Sequence, residues 1–252
     1  MVKVSSSDVK VMMLKQLVLC LVGLFGLLVP ARALAEQCDT RPTARALVAP
    51  WSATDQAYLG GRKQINYYFE MSEVVYRVFY GDAKGFISAQ SPSQIITSDP
   101  FYDHERRLGR NLIDSTDKLI DLDFNEVKDR DQADLLIVGY CNQNDRKEGA
   151  ITQSASGAQY VMILNGCRGI ANGVTDPVWL FLHEFGHALG LEHPFSDIDG
   201  DCLFDNKPFS PRSADSALTV MAYKQSLKGP PSFFTAYDLA VLRRIWGAES
   251  NR

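Results

Sequence analysis

Histidine is scarce in this chain: there are four in 252 residues, and three of them fall within eleven residues of one another. Nothing in the sequence repeats, and no tract is of low complexity, which excludes solenoids, propellers and disordered linkers as the main architecture. Basic residues are too few for nucleic acid: 26 Lys and Arg stand against 30 Asp and Glu, a formal net charge of −4. That balance also argues against anionic membrane surfaces as partners. Long apolar runs are missing except near the start, where 17–29 carry no charge. That run is short for a membrane span. Lys3, Lys10 and Lys15 precede it and Ala33-Leu34-Ala35 comes after it, the order of an export signal with a small-x-small cleavage site. Cleavage after Ala35 is therefore expected, with retention as an uncleaved anchor the alternative. The leader carries Lys3, Lys10, Lys15 and Arg32 against Asp8, so the mature chain is more acidic still. The reading is 1–35 as signal peptide, 36–61 as an N-terminal arm or short pro-segment, and 62–252 as one catalytic domain, secreted or periplasmic.

Cysteine is also sparse, with five in all. Cys20 lies in the leader. Cys38, Cys141, Cys167 and Cys202 remain, an even number in an exported chain, which suggests two disulfides with three connectivities open. In a rival arrangement Cys38 is a thiolate ligand that silences a metal before activation.

The chemistry is concentrated in His183-Glu184-Phe185-Gly186-His187-Ala188-Leu189-Gly190-Leu191-Glu192-His193. On a helix, His183 and His187 share a face one turn apart and can close on one Zn²⁺. Gly190 lets the chain leave the helix with positive φ and bring His193 back as a third nitrogen. Three protein ligands leave a position open, the catalytic rather than the structural arrangement. Glu184 projects about 100° further round the helix, placed to take a proton from an activated water. Asp176 suits the N-cap and Pro177 the first turn. Val178, Trp179, Phe181, Leu182, Phe185 and Leu189 give that helix an apolar body.

Elsewhere, strands are expected at 64–69, 123–127, 133–140, 150–155 (a short polar edge) and 159–165. Helices are expected at 101–122, from the spacing of Leu108, Leu112, Ile113, Leu119 and Ile120, and at 234–247, with Ala236, Leu239, Ala240, Leu242 and Trp246 inward and Gly247 as the stop. Residues 73–80 read as helix or strand, and 91–100 as loop. The fold class is α+β, a mixed sheet with helices packed on it. His104 reads as a surface residue. Asp197, Asp199 and Asp201 alternate about Gly200 and could ligate Ca²⁺, although no Glu closes the loop downstream; a solvated acidic turn is the alternative.

The string from His183 to Pro194 resembles the HExxHxxGxxH signature of the metzincin zinc peptidases, and Val220-Met221-Ala222-Tyr223 resembles their Met-turn. Pro194, Tyr237-Asp238-Leu239-Ala240 and Trp246-Gly247-Ala248 are most similar to the serralysin group. Asp123-Phe124-Asn125-Glu126-Val127 with Ala133-Asp134-Leu135 is similar to serralysins and matrixins. The resemblance implies a twisted, five-stranded, mostly parallel sheet with one antiparallel edge strand, two long helices and a small C-terminal part. It implies zinc on His183, His187 and His193, Glu184 as base, Met221 beneath the metal, and Tyr223 as a resting ligand that swings out to stabilise the tetrahedral intermediate. It implies a peptide substrate paired with the edge strand, here near 150–155. The chain departs from the serralysins in its signal, its cysteines, and the lack of glycine- and aspartate-rich calcium repeats after 248. The expected protein is a monomeric, exported zinc endopeptidase. The alternative is a zinc-containing peptide-binding module that has lost catalysis.

Overall fold

The computed structural model describes residues 38–250 apart from 54–55, 57–58, 60, 80–92, 143–148, 154–158, 167–175 and 198. The leader and Cys20 lie outside the described residues. Among the described residues the strands and α-helices run in order: β1 (Gln64–Phe69), β2 (Val75–Phe79), β3 (Ser93–Thr97), α1 (Asp103–Asp117), β4 (Asp123–Glu126), β5 (Leu135–Tyr140), β6 (Gly149–Gln153), β7 (Tyr160–Asn165), α2 (Pro177–Ala188) and α3 (Ala236–Trp246). Among the described residues no helix is long and apolar enough to cross a membrane.

Five strands form one sheet in the order β4-β1-β5-β7-β6. Neighbours pair in parallel except β6, which runs antiparallel to β7 at the edge. The expected fold class, a mostly parallel sheet with one antiparallel edge strand and helices packed on it, is the one observed. The continuous apolar run of β5 has a simple cause. All six of its residues are buried, because both faces of the sheet are covered. Period-two alternation divides the strand between two cores. Leu135 and Ile137 pack with Leu112 and Ile113 of α1 and Leu182 and Phe185 of α2. Leu136 and Val138 pack on the opposite face with Tyr76 and Ile96.

Those last two residues belong to β2 and β3, an antiparallel pair in which Tyr76 faces Ile96. The ambiguous 73–80 stretch is thus strand. The expected loop at 91–100 contains another, since Ile95, Ile96 and Thr97 are β-branched and find a partner.

Helix α1 is shorter than its apolar spacing suggested. It ends at Asp117, whose Oδ1 accepts from Phe124 N at 2.9 Å as the chain turns into β4. Ile120 and Leu122 remain wholly buried beyond the helix, so the periodic signal outlasts it. Helix α3 begins at Thr235, whose Oγ1 accepts from Asp238 N, and stops at Gly247 with φ of 100°, as expected. Its inward stripe matches the expected one at Leu242 and, partly buried against the core, at Leu239 and Trp246, but not at the two alanines. Asp238, Val241 and Leu242 are buried, whereas Ala236 and Ala240 are exposed.

The 36–61 stretch contributes core. Ala46, Leu47 and Ala49 are buried. Val48 bridges Leu191, Ala49 N donates to Gly190 O at 2.9 Å, and Glu192 N donates to Leu47 O at 3.0 Å. The described part of this stretch is therefore an arm sewn across the turn that comes after α2.

Candidate metal centre

Helix α2 starts as its sequence dictates. Asp176 Oδ1 accepts from Val178 N at 2.8 Å and Trp179 N at 3.2 Å, and Pro177 opens the first turn. His183 and His187 project one turn apart near its C-terminal end. Gly190 then takes φ of 90°, and Leu191 N caps Gly186 O at 2.9 Å. A Cβ at Gly190 would sit 2.8 Å from Ser52 Cβ, so both conformation and the passing arm require glycine. The turn returns His193 to the helix.

The three Nε2 atoms converge. His193 Nε2 lies 3.2 Å from His183 Nε2 and 3.1 Å from His187 Nε2. Three nitrogens bound tetrahedrally at about 2.0–2.1 Å from one ion would stand about 3.3 Å apart, so the spacing suits a shared metal. The outer nitrogens argue the same way. His183 Nδ1 is 2.9 Å from Val220 O and His187 Nδ1 is 2.8 Å from Leu191 O. A carbonyl only accepts, so both Nδ1 atoms carry the proton and, in neutral rings, both Nε2 atoms present lone pairs. His193 can donate to one of them at most. A cation among them turns this crowding of lone pairs into attraction. Burial pushes His183 down to about 3 and His187 down to about 4, with the neighbouring imidazole adding to the shift of His183. Burial and both neighbours hold His193 well below its ordinary value. All three are thus neutral, the form that binds metal.

Glu184 is buried and directly follows His183. The Tyr223 ring centroid is 4.6 Å from that of His193 and 5.6 Å from that of His183, and the residue is 39% exposed at the rim. Phe195 stacks on His193 at 4.8 Å with 9° between planes, and Trp179 lies 4.9 Å from His183. These rings form part of the surroundings that bury the histidines. Phe195, two residues past the third ligand, was not singled out in the sequence. Its position directly after Pro194 is the available signal. His104 is exposed and stacks on Tyr102, as a surface residue would.

Met221 is fully buried. A Cβ at Gly186 would come within 2.6 Å of its sulfur, so the glycine between the first two ligands makes room for the methionine beneath the helix. The segment holding Met221 is organised by Asp238, whose role no sequence spacing disclosed. Its carboxylate accepts from Thr219 Oγ1 at 2.5 Å, Val220 N at 3.1 Å and Thr235 N at 2.8 Å. Met221 N in turn donates to Thr219 Oγ1 at 3.1 Å. Burial raises the Asp238 carboxyl against the lowering effect of those hydrogen bonds. Val220 thus connects Asp238 to His183, one fixing its N–H and the other using its carbonyl.

Cys38 is joined to Cys202 across 164 residues. This overturns the rival reading of Cys38 as a thiolate metal ligand, because the sulfur is already bonded. Cys141 is also disulfide-bonded. Cys167 lies outside the described residues.

The acidic turn gathers a different set from the expected one. One oxygen each of Glu192, Asp199 and Asp201 lie within 4.8 Å of one another. Asp197 instead accepts from Asn206 at 3.3 Å. Burial raises Glu192 to about 8, and burial with neighbouring Asp199 raises Asp201 to about 7. Glu192, the acid that joins Asp199 and Asp201, precedes the loop rather than following it.

The chain matches no protein-family profile and no curated protein. Among the solved structures that match it, two illustrate the likeness. One is described as the GM1 bound form of the ECX AB5 holotoxin, with 13% identity, a TM-score of 0.41, and 85% of this chain and 94% of that one covered. The other is the structure of myroilysin, with 11% identity, a TM-score of 0.40, and coverage of 73% and 92%. At such identities and scores neither likeness carries weight on what the chain does. The chemical reading rests on the histidines.

Proposed function

We propose that this chain is an exported zinc endopeptidase of the metzincin kind, acting on proteins or peptides as a monomer. One observation carries the reading: three neutral imidazoles present Nε2 atoms 3.1–3.2 Å from a common member, with Glu184 adjacent to the first. A zinc ion held there would supply Lewis acidity to a water and to the scissile carbonyl. Glu184 takes the proton of the attacking water and returns it to the leaving amine. Its burial keeps the carboxylate in a poorly solvated site, where proton transfer is not levelled by bulk water. Tyr223, at the rim against His193, donates its phenol hydrogen to the oxyanion that develops at the carbonyl. Strand β6, the antiparallel edge, offers its outer backbone to an extended substrate. The Cys38–Cys202 disulfide suits an oxidising compartment and with it the export signal read at 1–35.

The test is hydrolysis of a quenched casein and a mixed peptide library by residues 36–252. The assays run with zinc, after chelation, after zinc is restored, and with Glu184→Gln. Activity should vanish on chelation and return with zinc. Glu184→Gln should bind zinc stoichiometrically while losing roughly 10²–10⁴-fold in kcat. Near-normal turnover by this variant would sink the mechanism. Stoichiometric zinc with no turnover by the unaltered chain would favour the binding module instead.

A further inference from the structure

We propose that Glu192, Asp199 and Asp201 form a second cation site, built for calcium, that braces the third histidine. The three carboxylates offer oxygens within 4.8 Å of one another. Calcium binds oxygens at 2.3–2.6 Å, so ligands across the ion stand about 4.6–5.2 Å apart. One ion can therefore touch all three. The observation that points to a ligand is Glu192 itself. It is 1% exposed, neither of its carboxylate oxygens makes a hydrogen bond of good geometry, and the neighbouring Ser196 hydroxyl brings no counter-charge. A buried carboxylate is ordinarily paired or bound to a metal. Asp201 is 7% exposed and faces Asp199 and Arg45. Among the described residues its counter-charge is Arg45, with Nε 3.1 Å from Asp201 Oδ2 and a side chain 66% exposed. A single guanidinium faces three carboxylates, and it leaves Glu192 unmatched.

The three carboxylates lie within 192–201, a stretch tied to the arm at both ends. Glu192 immediately precedes the ligand His193, and its N–H is held by Leu47 O of the arm. Asp199 and Asp201 flank Gly200, which takes φ of 83°. Asp201 adjoins Cys202, which is bonded to Cys38. Calcium would tie the backbone at the third ligand to this loop and the arm, so the order of the histidine site would depend on a second metal. The inference does not rest on peptidase activity, and its test reads binding and stability alone.

The full chain, loaded with one equivalent of zinc and freed of other metals, is titrated with calcium chloride. Heat uptake and the thermal midpoint are measured in the unaltered chain, in Asp199→Asn and in Glu192→Gln. One calcium per chain should bind beyond the zinc. The midpoint should rise by about 5–10 °C at calcium a hundredfold above Kd. Asp199→Asn should weaken binding at least about tenfold, and Glu192→Gln should abolish it. Asp199 is exposed, so its variant keeps the test decisive if Glu192→Gln fails to fold. No uptake and no midpoint shift up to about 10 mM calcium, above the range of weak extracellular sites, would overturn the proposal. So would binding that neither variant alters.

Discussion

Strand β5 and the segment 191–235 both keep side chains wholly out of solvent, Ile137 and Val138 in the one and Leu203, Val220 and Met221 in the other. Their backbones are held in different ways. In β5 the polar groups pair with β1 and β7 in regular ladders. Among the described residues 191–235 have no helix or strand. There backbone groups are held by Asp238, by Thr219, by the arm and by local turns, and a disulfide at Cys202 ties the segment covalently to the arm. A ladder distributes its loss over many equivalent bonds. A side-chain anchor concentrates it on one residue. Damage to the sheet should therefore cost stability in proportion to volume lost, and damage to the irregular half should move the metal site.

Three variants sharpen this contrast. Removing the clamp, as Cys38→Ser with Cys202→Ser, should cost the most. A closed loop of 164 residues corresponds to about 5 kcal/mol of denatured-state entropy. The loss should appear in guanidinium unfolding, and a value below about 1 kcal/mol would show that the irregular half holds without its covalent tie. Ile137→Ala should cost about 3 kcal/mol, read in the same way, with zinc affinity unchanged. A large fall in zinc affinity would erase the distinction between the halves. Asp238→Asn has the smallest free-energy effect but the most selective one. It keeps the size of the anchor while replacing an acceptor oxygen with a donor. Zinc affinity should fall roughly 10–100-fold, more than unfolding stability predicts, because Val220 O would no longer be held against His183. Loss of stability without loss of zinc affinity would place Asp238 among ordinary packing residues.

Much of the histidine site was legible before any fold was known. His183, Glu184, His187, Gly190 and His193 lie within one helix end and one turn, where the helical period and a positive φ decide geometry without outside help. Asp176, Pro177 and Gly247 marked helix boundaries for the same reason, since capping is local. The β5 run of apolar residues announced a doubly covered strand. The stripe of α3 was legible at Leu239, Leu242 and Trp246 but not at Asp238, which faces inward, or Ala236, which faces out. Alanine's indifference to burial left the pattern open, and a carboxylate at the core is readable only once its donors are in place. The hairpin of β2 and β3 was missed because each strand is short and reveals itself through the other.

The sequence by itself determined which atoms could hold a metal, since their spacing is spanned by one helix end and the turn beyond it and needs no distant contact. It also determined the alternation that splits β5 between two cores. Only the tertiary structure decided that Asp238 reaches Val220, that Cys38 takes Cys202, and that Glu192 rather than Asp197 joins Asp199 and Asp201. These partners stand far apart in the chain or on the unexpected side of a turn, and chain closure over such distances is set by the packing of the whole fold.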